Sequence, residues 1–315
     1  MGDRALAIGG AWPTLLTPFN ADLSVDWGAY RAMIAWYLAH RVGGLYACCL
    51  SSEMFHLALD ERVGLARTAV EVAAGACPVA ATGNLGQTFA EQVDSCRRIA
   101  GAGADIVMLV VPPDLNTPDE LEHYYLSMAE AVDAPLGLYE CPVPRNFHLP
   151  VELVQKLART GRFVAFKETS CDRDKILALL GAVRGTPLAL MQANTPYLLD
   201  AVHAGAPGTM SIASIWLPDL AAEVIEKARQ GDPGAERLHA DLCAMELAQR
   251  AVHPVGSKFL LGRRGVPIGL ASRAHPALSA EVWVALDYAA RAWLDGAGNL
   301  LGAGGLLEKG DLRAL

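Results

Sequence analysis

The sequence predicts a (β/α)8 barrel, the TIM-barrel form of the α/β class, with additional helices at its C-terminal end. Three observations lead there. Short apolar runs alternate eight times with longer stretches of helical periodicity, and no composition break marks a linker. The runs are mostly continuous rather than alternating in polarity, as strands covered on both faces must be. Several helical stretches end in small residues just before the next run, which permits the left-handed C-cap and tight return of a repeated βα unit.

The first run is Ala11 to Thr17. The second, Gly44 to Cys49, follows the return Val42-Gly43-Gly44. The third, Pro78 to Thr82, leads to Thr88-Phe89-Ala90-Glu91, a capping box that starts the next helix. That helix ends at Ala102-Gly103-Ala104-Asp105, ahead of the fourth run, Ile106 to Val111. A second capping box, Thr117-Pro118-Asp119-Glu120, has proline at the first helical position. The remaining runs are Leu136 to Cys141, Phe163 to Lys167, Leu188 to Gln192 and, after Ala204-Gly205-Ala206-Pro207-Gly208, Thr209 to Ile212. From about Ala221 to Leu294 the chain is helical with Gly and Pro breaks, too much for one barrel helix. The expected organisation is therefore a barrel over residues 1–220, a last barrel helix with two or three appended helices over 221–294, and a Gly-rich flexible tail over 295–315. An open doubly wound sheet shares this rhythm. Eight units in about 210 residues, with no strand-then-glycine phosphate turn, favour closure. Gly101-Ala102-Gly103 follows a helix and precedes a strand, the reverse of a dinucleotide loop.

Composition narrows the function. A net charge of −8 and a pI near 5.5, with no basic run interleaved with aromatics, argue against nucleic acid as a partner. No apolar stretch approaches the roughly 20 residues of a membrane helix. The N-terminal residues lack the pattern of an export signal, so the expected compartment is the cytoplasm. The seven cysteines sit mostly in apolar segments without Cys-x-x-Cys spacing, and read as reduced core residues. The eight histidines form no His-Glu-x-x-His and no i, i+4 pair, so neither a metal nor another cofactor is expected.

In a barrel, functional groups belong at the C-terminal ends of strands. Lys167 closes the sixth run and is one of only six lysines beside twenty arginines. An amine held in an apolar barrel mouth loses solvation of its charged form and becomes nucleophilic toward carbonyls. The plain alternative is an ion pair with Glu168 or a lysine that snorkels to the surface. Tyr139 ends the preceding strand, where a phenol can move protons, or can be an ordinary core tyrosine. Ser51 and Ser52 follow the second strand and offer hydroxyls and amides to a carboxylate, or simply cap a helix. Gly205 to Ser211 brings backbone close to where Lys167 ends.

Taken together, these segments resemble the dihydrodipicolinate synthase and N-acetylneuraminate lyase family of class I aldolase barrels, over about Trp12 to Pro267. The likeness rests on Thr14-Leu15-Leu16-Thr17-Pro18-Phe19, Gly44-Leu45-Tyr46 with Ser51-Ser52-Glu53, Leu138-Tyr139 with Pro142, Val164-Ala165-Phe166-Lys167-Glu168, and Gly205-Ala206-Pro207-Gly208-Thr209-Met210-Ser211. The resemblance implies a Schiff-base lysine at Lys167, a catalytic tyrosine at Tyr139, a 2-oxo acid carboxylate on the Ser51-Ser52 turn, and the Met210 carbonyl beside the imine. It also implies a homotetramer built as a dimer of dimers, and no cofactor.

This chain departs from that pattern in ways that bear on substrate. Leu50 replaces one of the synthases' two turn hydroxyls, and Ser52 replaces a glycine. Leu115 stands where synthases carry a relay tyrosine that crosses between subunits, and a leucine cannot relay a proton. Arg145 lies one residue beyond the position of the synthases' carboxylate-binding arginine, and is the expected substitute for it. Gln192-Ala193-Asn194 also departs from the lyase branch. The sequence therefore points to a divergent branch: a Schiff-base lyase of aldolase or hydratase-dehydratase type, acting on pyruvate or a related 2-oxo acid with an aldehyde. The alternatives are a dihydrodipicolinate synthase proper, a 2-oxo acid-binding paralogue without turnover, and a metal-dependent barrel hydrolase.

Overall fold

The computed structural model describes residues 6–301 and forms a (β/α)8 barrel. Its strands are β1 (Gly10–Ala11), β2 (Leu45–Ala47), β3 (Val79–Thr82), β4 (Ile106–Val110), β5 (Leu136–Tyr139), β6 (Phe163–Glu168), β7 (Ala189–Gln192) and β8 (Gly208–Thr209). They pair in parallel in the order β1-β8-β7-β6-β5-β4-β3-β2. Parallel bridges Ala11↔Val42 and Thr14↔Tyr46 bring the first strand region back to the second and close the circle.

Eight helices alternate with the strands: α1 (Trp27–Leu38), α2 (Leu59–Ala73), α3 (Phe89–Gly101), α4 (Pro118–Ala131), α5 (Val151–Arg159), α6 (Arg173–Ala182), α7 (Leu198–His203) and α8 (Pro218–Gln230). Both expected capping boxes form. The Thr88 hydroxyl accepts from Glu91 N and the Glu91 carboxylate accepts from Thr88 N, and Thr117 and Glu120 repeat the exchange. Three further helices follow, α9 (Gly234–Arg250), α10 (Val255–Arg263) and α11 (Ala280–Trp293).

Strand alternation divides the buried residues into two layers. Trp12, Tyr46, Met108, Tyr139, Met191 and Met210 fill the interior, while Leu45, Leu109, Leu138, Phe166 and Leu190 pack outward against the helices. The barrel centre is thus a packed core, and open space is left to its rim.

Three expectations need correction. The first and eighth strands are far shorter than Ala11 to Thr17 and Thr209 to Ile212. Pro13 has no amide to give to a ladder. After Thr209 the chain turns into the 3-10 turn Ala213–Ile215, with Met210 N still donating to Gln192 O at 3.0 Å. The second strand ends at Ala47 because Cys48 takes φ 52°, outside the β region. The start of the expected tail is ordered. Asp295 Oδ1 accepts from Ala297 N and Asn299 N, each at 2.8 Å, folding Leu300 back onto Leu294. Residues 302–315 of that tail lie outside the described residues.

Glycine makes the close approaches on both sides of β1, to β8 and to the residues ahead of β2. A Cβ on Gly208 would sit 2.1 Å from Gly10 O, and one on Gly43 would sit 1.9 Å from Gly9 O. No side chain fits at either point.

Candidate active site

Alternation along β6 sends Lys167 toward the barrel axis and Glu168 away from it. Lys167 is 6% exposed, at the upper end of its strand and directly opposite Tyr139 in the β5–β6 ladder. Its Nζ lies 4.5 Å from the centre of the Tyr139 ring and 5.3 Å from that of Tyr46. Among the described residues no hydrogen bond or ion pair reaches this amine. Burial lowers its pKa, opposed only in part by Cys49, Cys141 and Glu246. The ion pair with Glu168 is not made. The Glu168 carboxylate accepts instead from Ser170 N at 2.6 Å and Gln192 Nε2 at 2.8 Å.

Above Lys167 opens a cavity of about 340 Å³ whose wall includes Ser51, Tyr139 and Met210. The structure therefore brings these three predicted residues to the amine. Burial pushes the Tyr139 phenol well up, and the Cys141 thiol beside it adds to the effect. The hydroxyl thus keeps its proton at neutral pH. Ser51 Oγ donates to Thr14 Oγ1 at 3.0 Å and meets His253 Nε2 at 3.0 Å.

Two predicted residues are placed elsewhere. Ser52 is buried, but its hydroxyl donates to Leu15 O at 2.5 Å and accepts from Cys49 N at 3.1 Å. Its amide donates to Cys49 O, so its polar groups are used in shaping the turn. Arg145 is absent from the cavity wall. Its guanidinium donates to Leu115 O at 2.6 Å, Pro112 O at 3.4 Å and the Asn116 side chain, and it stacks on Phe147. These bonds staple the loop after β5 to the loop after β4. Leu115 lines a separate apolar hollow with Phe89, His123 and Tyr124.

Sequence reasoning missed Asn194, Arg250 and His253, all on the cavity wall. Asn194 follows β7 and its buried Nδ2 has no partner among the described residues. Arg250, at the end of α9, pairs with the buried Glu246 and reaches Asn194 Oδ1 at 3.5 Å. His253 precedes α10, and the only local signal was a histidine before proline at a helix start. That pattern speaks of backbone rather than chemistry. No cluster of His, Cys, Asp or Glu among the described residues is arranged to hold a metal ion.

Comparison with known proteins agrees with this fold. The profile of the "Dihydrodipicolinate synthetase family" matches residues 7–281. A 4-hydroxy-tetrahydrodipicolinate synthase of Acidobacterium capsulatum is 31% identical over 236 residues, 74% of this chain and 78% of that protein. The corresponding synthase of Xanthomonas axonopodis pv. citri is 29% identical over 273 residues, 84% of this chain and 88% of its own length. Among solved structures, dihydrodipicolinate synthase from Aquifex aeolicus superposes with a TM-score of 0.83 at 24% identity, covering 90% of this chain and 97% of that one. The chloride-inhibited Acinetobacter baumannii synthase complexed with pyruvate gives 0.84 at 22% identity, with 90% and 98% covered.

Proposed function

Given that this chain belongs to the dihydrodipicolinate synthetase family, we propose that it is a metal-independent, class I aldolase-type lyase that joins pyruvate or a related 2-oxo acid covalently to Lys167. The observation that carries this reading is the Lys167 amine: buried at the end of β6, unpaired among the described residues, and with its charged form disfavoured. Such an amine is nucleophilic at a pH where an exposed lysine is not.

The chemistry follows from the groups at hand. The neutral amine adds to the keto carbon. The carbonyl oxygen leaves as water after gaining two protons, and the C=N bond of the iminium replaces C=O. The iminium then withdraws electrons as a proton leaves the adjacent carbon, giving an enamine that attacks an aldehyde carbon. The reverse path breaks the same carbon-carbon bond. Tyr139, 4.5 Å from Nζ at its ring centre and protonated at neutral pH, is the group that gives and takes these protons. Ser51 receives the substrate carboxylate, and Met210 closes the wall beside the imine.

Arg145 is spent on loop carbonyls, and Leu50 and Leu115 remove hydroxyls. These features favour a second substrate other than that of a dihydrodipicolinate synthase proper, chosen by the Asn194 and Arg250 wall. A cytoplasmic homotetramer belongs to the same proposal. Borohydride reduction in the presence of pyruvate, followed by peptide mass mapping, tests it. A pyruvyl adduct on Lys167 is the expected result. Bound pyruvate with no modified lysine would leave a binding protein instead.

A further inference from the structure

The Ser51 hydroxyl is the cavity end of a chain of hydrogen bonds that has one self-consistent direction. At the far end, Trp216 Nε1–H, which can only donate, points at Gln249 Oε1 at 3.2 Å. Gln249 Nε2 donates to the Ile212 carbonyl at 2.9 Å, which can only accept, so the amide orientation is fixed twice. Its second proton goes to Ser257 Oγ at 2.8 Å. Ser257 is fully buried, and the acceptor within reach of its own proton is His253 Nδ1 at 2.7 Å. An acceptor Nδ1 places the imidazole proton on Nε2, which then donates to Ser51 Oγ at 3.0 Å. Ser51 passes its proton to Thr14 Oγ1 at 3.0 Å. The opposite tautomer would give the Ser257 oxygen two donors and strand its proton in a dry site.

We propose that His253 is a positioning residue for the substrate carboxylate. Held as the Nε2–H tautomer by Gln249 and Ser257, it donates to Ser51 Oγ and so keeps the Ser51 hydroxyl a donor. That proton rests on Thr14 until the carboxylate of a 2-oxo acid takes it. With the other tautomer, the bare Nε2 would capture the Ser51 proton and turn oxygen lone pairs toward the incoming anion. Successive donors polarise one another, so the chain also strengthens the Ser51 O–H as a donor. The neutral state is secure. Burial, then Lys167 from β6, His275 from the segment before α11, Lys258 from α10 and Arg250 from α9, push the imidazole down to about 3. This inference rests on the Schiff-base reading for its substrate, and on the hydrogen-bond chain alone for its tautomer.

Two measurements test it. Long-range ¹H–¹⁵N spectra of the histidine-labelled protein, with His253 assigned by its loss in His253→Gln, should show a neutral Nε2–H ring from pH 5 to 8. An Nδ1–H ring, or titration within that range, overturns the proposal. Borohydride trapping against pyruvate concentration reads the second part. His253→Phe should raise half-saturating pyruvate about tenfold, the loss of one hydrogen bond to a charged group, with the final trapped fraction unchanged. His253→Gln, which retains an N–H, should recover part of this. The double variant Ser51→Ala/His253→Phe should be no worse than Ser51→Ala alone, because His253 acts through Ser51. Additive losses, or no change in His253→Phe, overturn the carboxylate role. A wild-type protein that traps no pyruvate overturns the Schiff-base reading and the carboxylate role with it, and the tautomer is still decided by the spectra.

Discussion

Lys167 is costly to its own fold. Its pKa in the folded chain lies below that of the unfolded chain, so the unfolded state binds more protons and stability rises with pH toward about 10.4. Lys167→Met should therefore abolish trapping and yet raise stability near neutral pH by about 1–2 kcal/mol. Thermal unfolding should show that gain narrowing as the pH approaches the unfolded lysine's value. Tyr139→Phe separates the two roles differently. It keeps the ring beside Nζ and removes the proton carrier, so turnover should fall about 100-fold or more while half-saturating pyruvate moves little. Lysine and tyrosine were legible in the sequence because each ends an apolar run, where alternation and barrel geometry decide direction. Arg250 and His253 were not, since they reach the cavity only through the tertiary path of the C-terminal helices, and Asn194, in the loop after β7, carries no local pattern that marks it. Arg145 is expected at the mouth in spite of lying one residue too far along, but three acceptors in the loop after β4 hold it.

At the level of elements, the turn after β2 joins the barrel to its appended helices. Glu53 sits at φ 58° there and accepts from Lys258 Nζ at 3.0 Å, Ser272 Oγ at 2.9 Å, and the amides of Arg273 and Ala274 at 2.8 and 3.0 Å. Burial alone would raise the Glu53 pKa, but the Lys258 charge and these donors hold it below the usual value. Its contribution is thus present above the unfolded carboxylate's pKa and lost as the pH falls through the lowered folded value. Lys258→Met leaves a buried carboxylate unpaired and should cost about 3–5 kcal/mol in urea unfolding. An unchanged midpoint would show that the backbone donors suffice. Interior strands were readable from unbroken apolar runs. The two end strands were not, because Trp12 and Met210 each keep a single backbone bond to the neighbouring strand, to Thr209 O and Gln192 O, while their side chains pack inward at the rim, so the apolar run outlasts the ladder.

At the scale of the whole molecule, apolar side chains remain on the appended helices. Val284 and Tyr288, one turn apart on α11, are 56% and 67% exposed, and Leu247 on α9 is 73% exposed. The exposed pair on α11 supports the proposed assembly. Val284→Asp/Tyr288→Asp should lower the sedimentation coefficient to that of a smaller species, with the helical signal kept. A monomeric wild type would remove the assembly from the proposal. The helical content of this region was legible from periodicity. Its packing was not, because residues such as Glu53 and Lys258 meet across more than 200 positions of chain.

The glycine seam sets a timetable for synthesis. One side of β1 meets the chain at Val42, but its other edge finds its neighbour only in Gly208 and Thr209, so on the ribosome that edge waits while nearly two hundred residues are added. At about 5–20 residues per second that interval is on the order of ten to forty seconds. Throughout it, the nascent sheet can grow from β1 to β7 but stays an open arc with strand edges uncovered. Gly10, Gly43 and Gly208 carry no side chains that would have to be ordered before the arc can shut. The last event in making this barrel is therefore backbone meeting backbone, and an alanine at Gly208 would stall a newborn chain at its final step more than it would disturb any strand already formed.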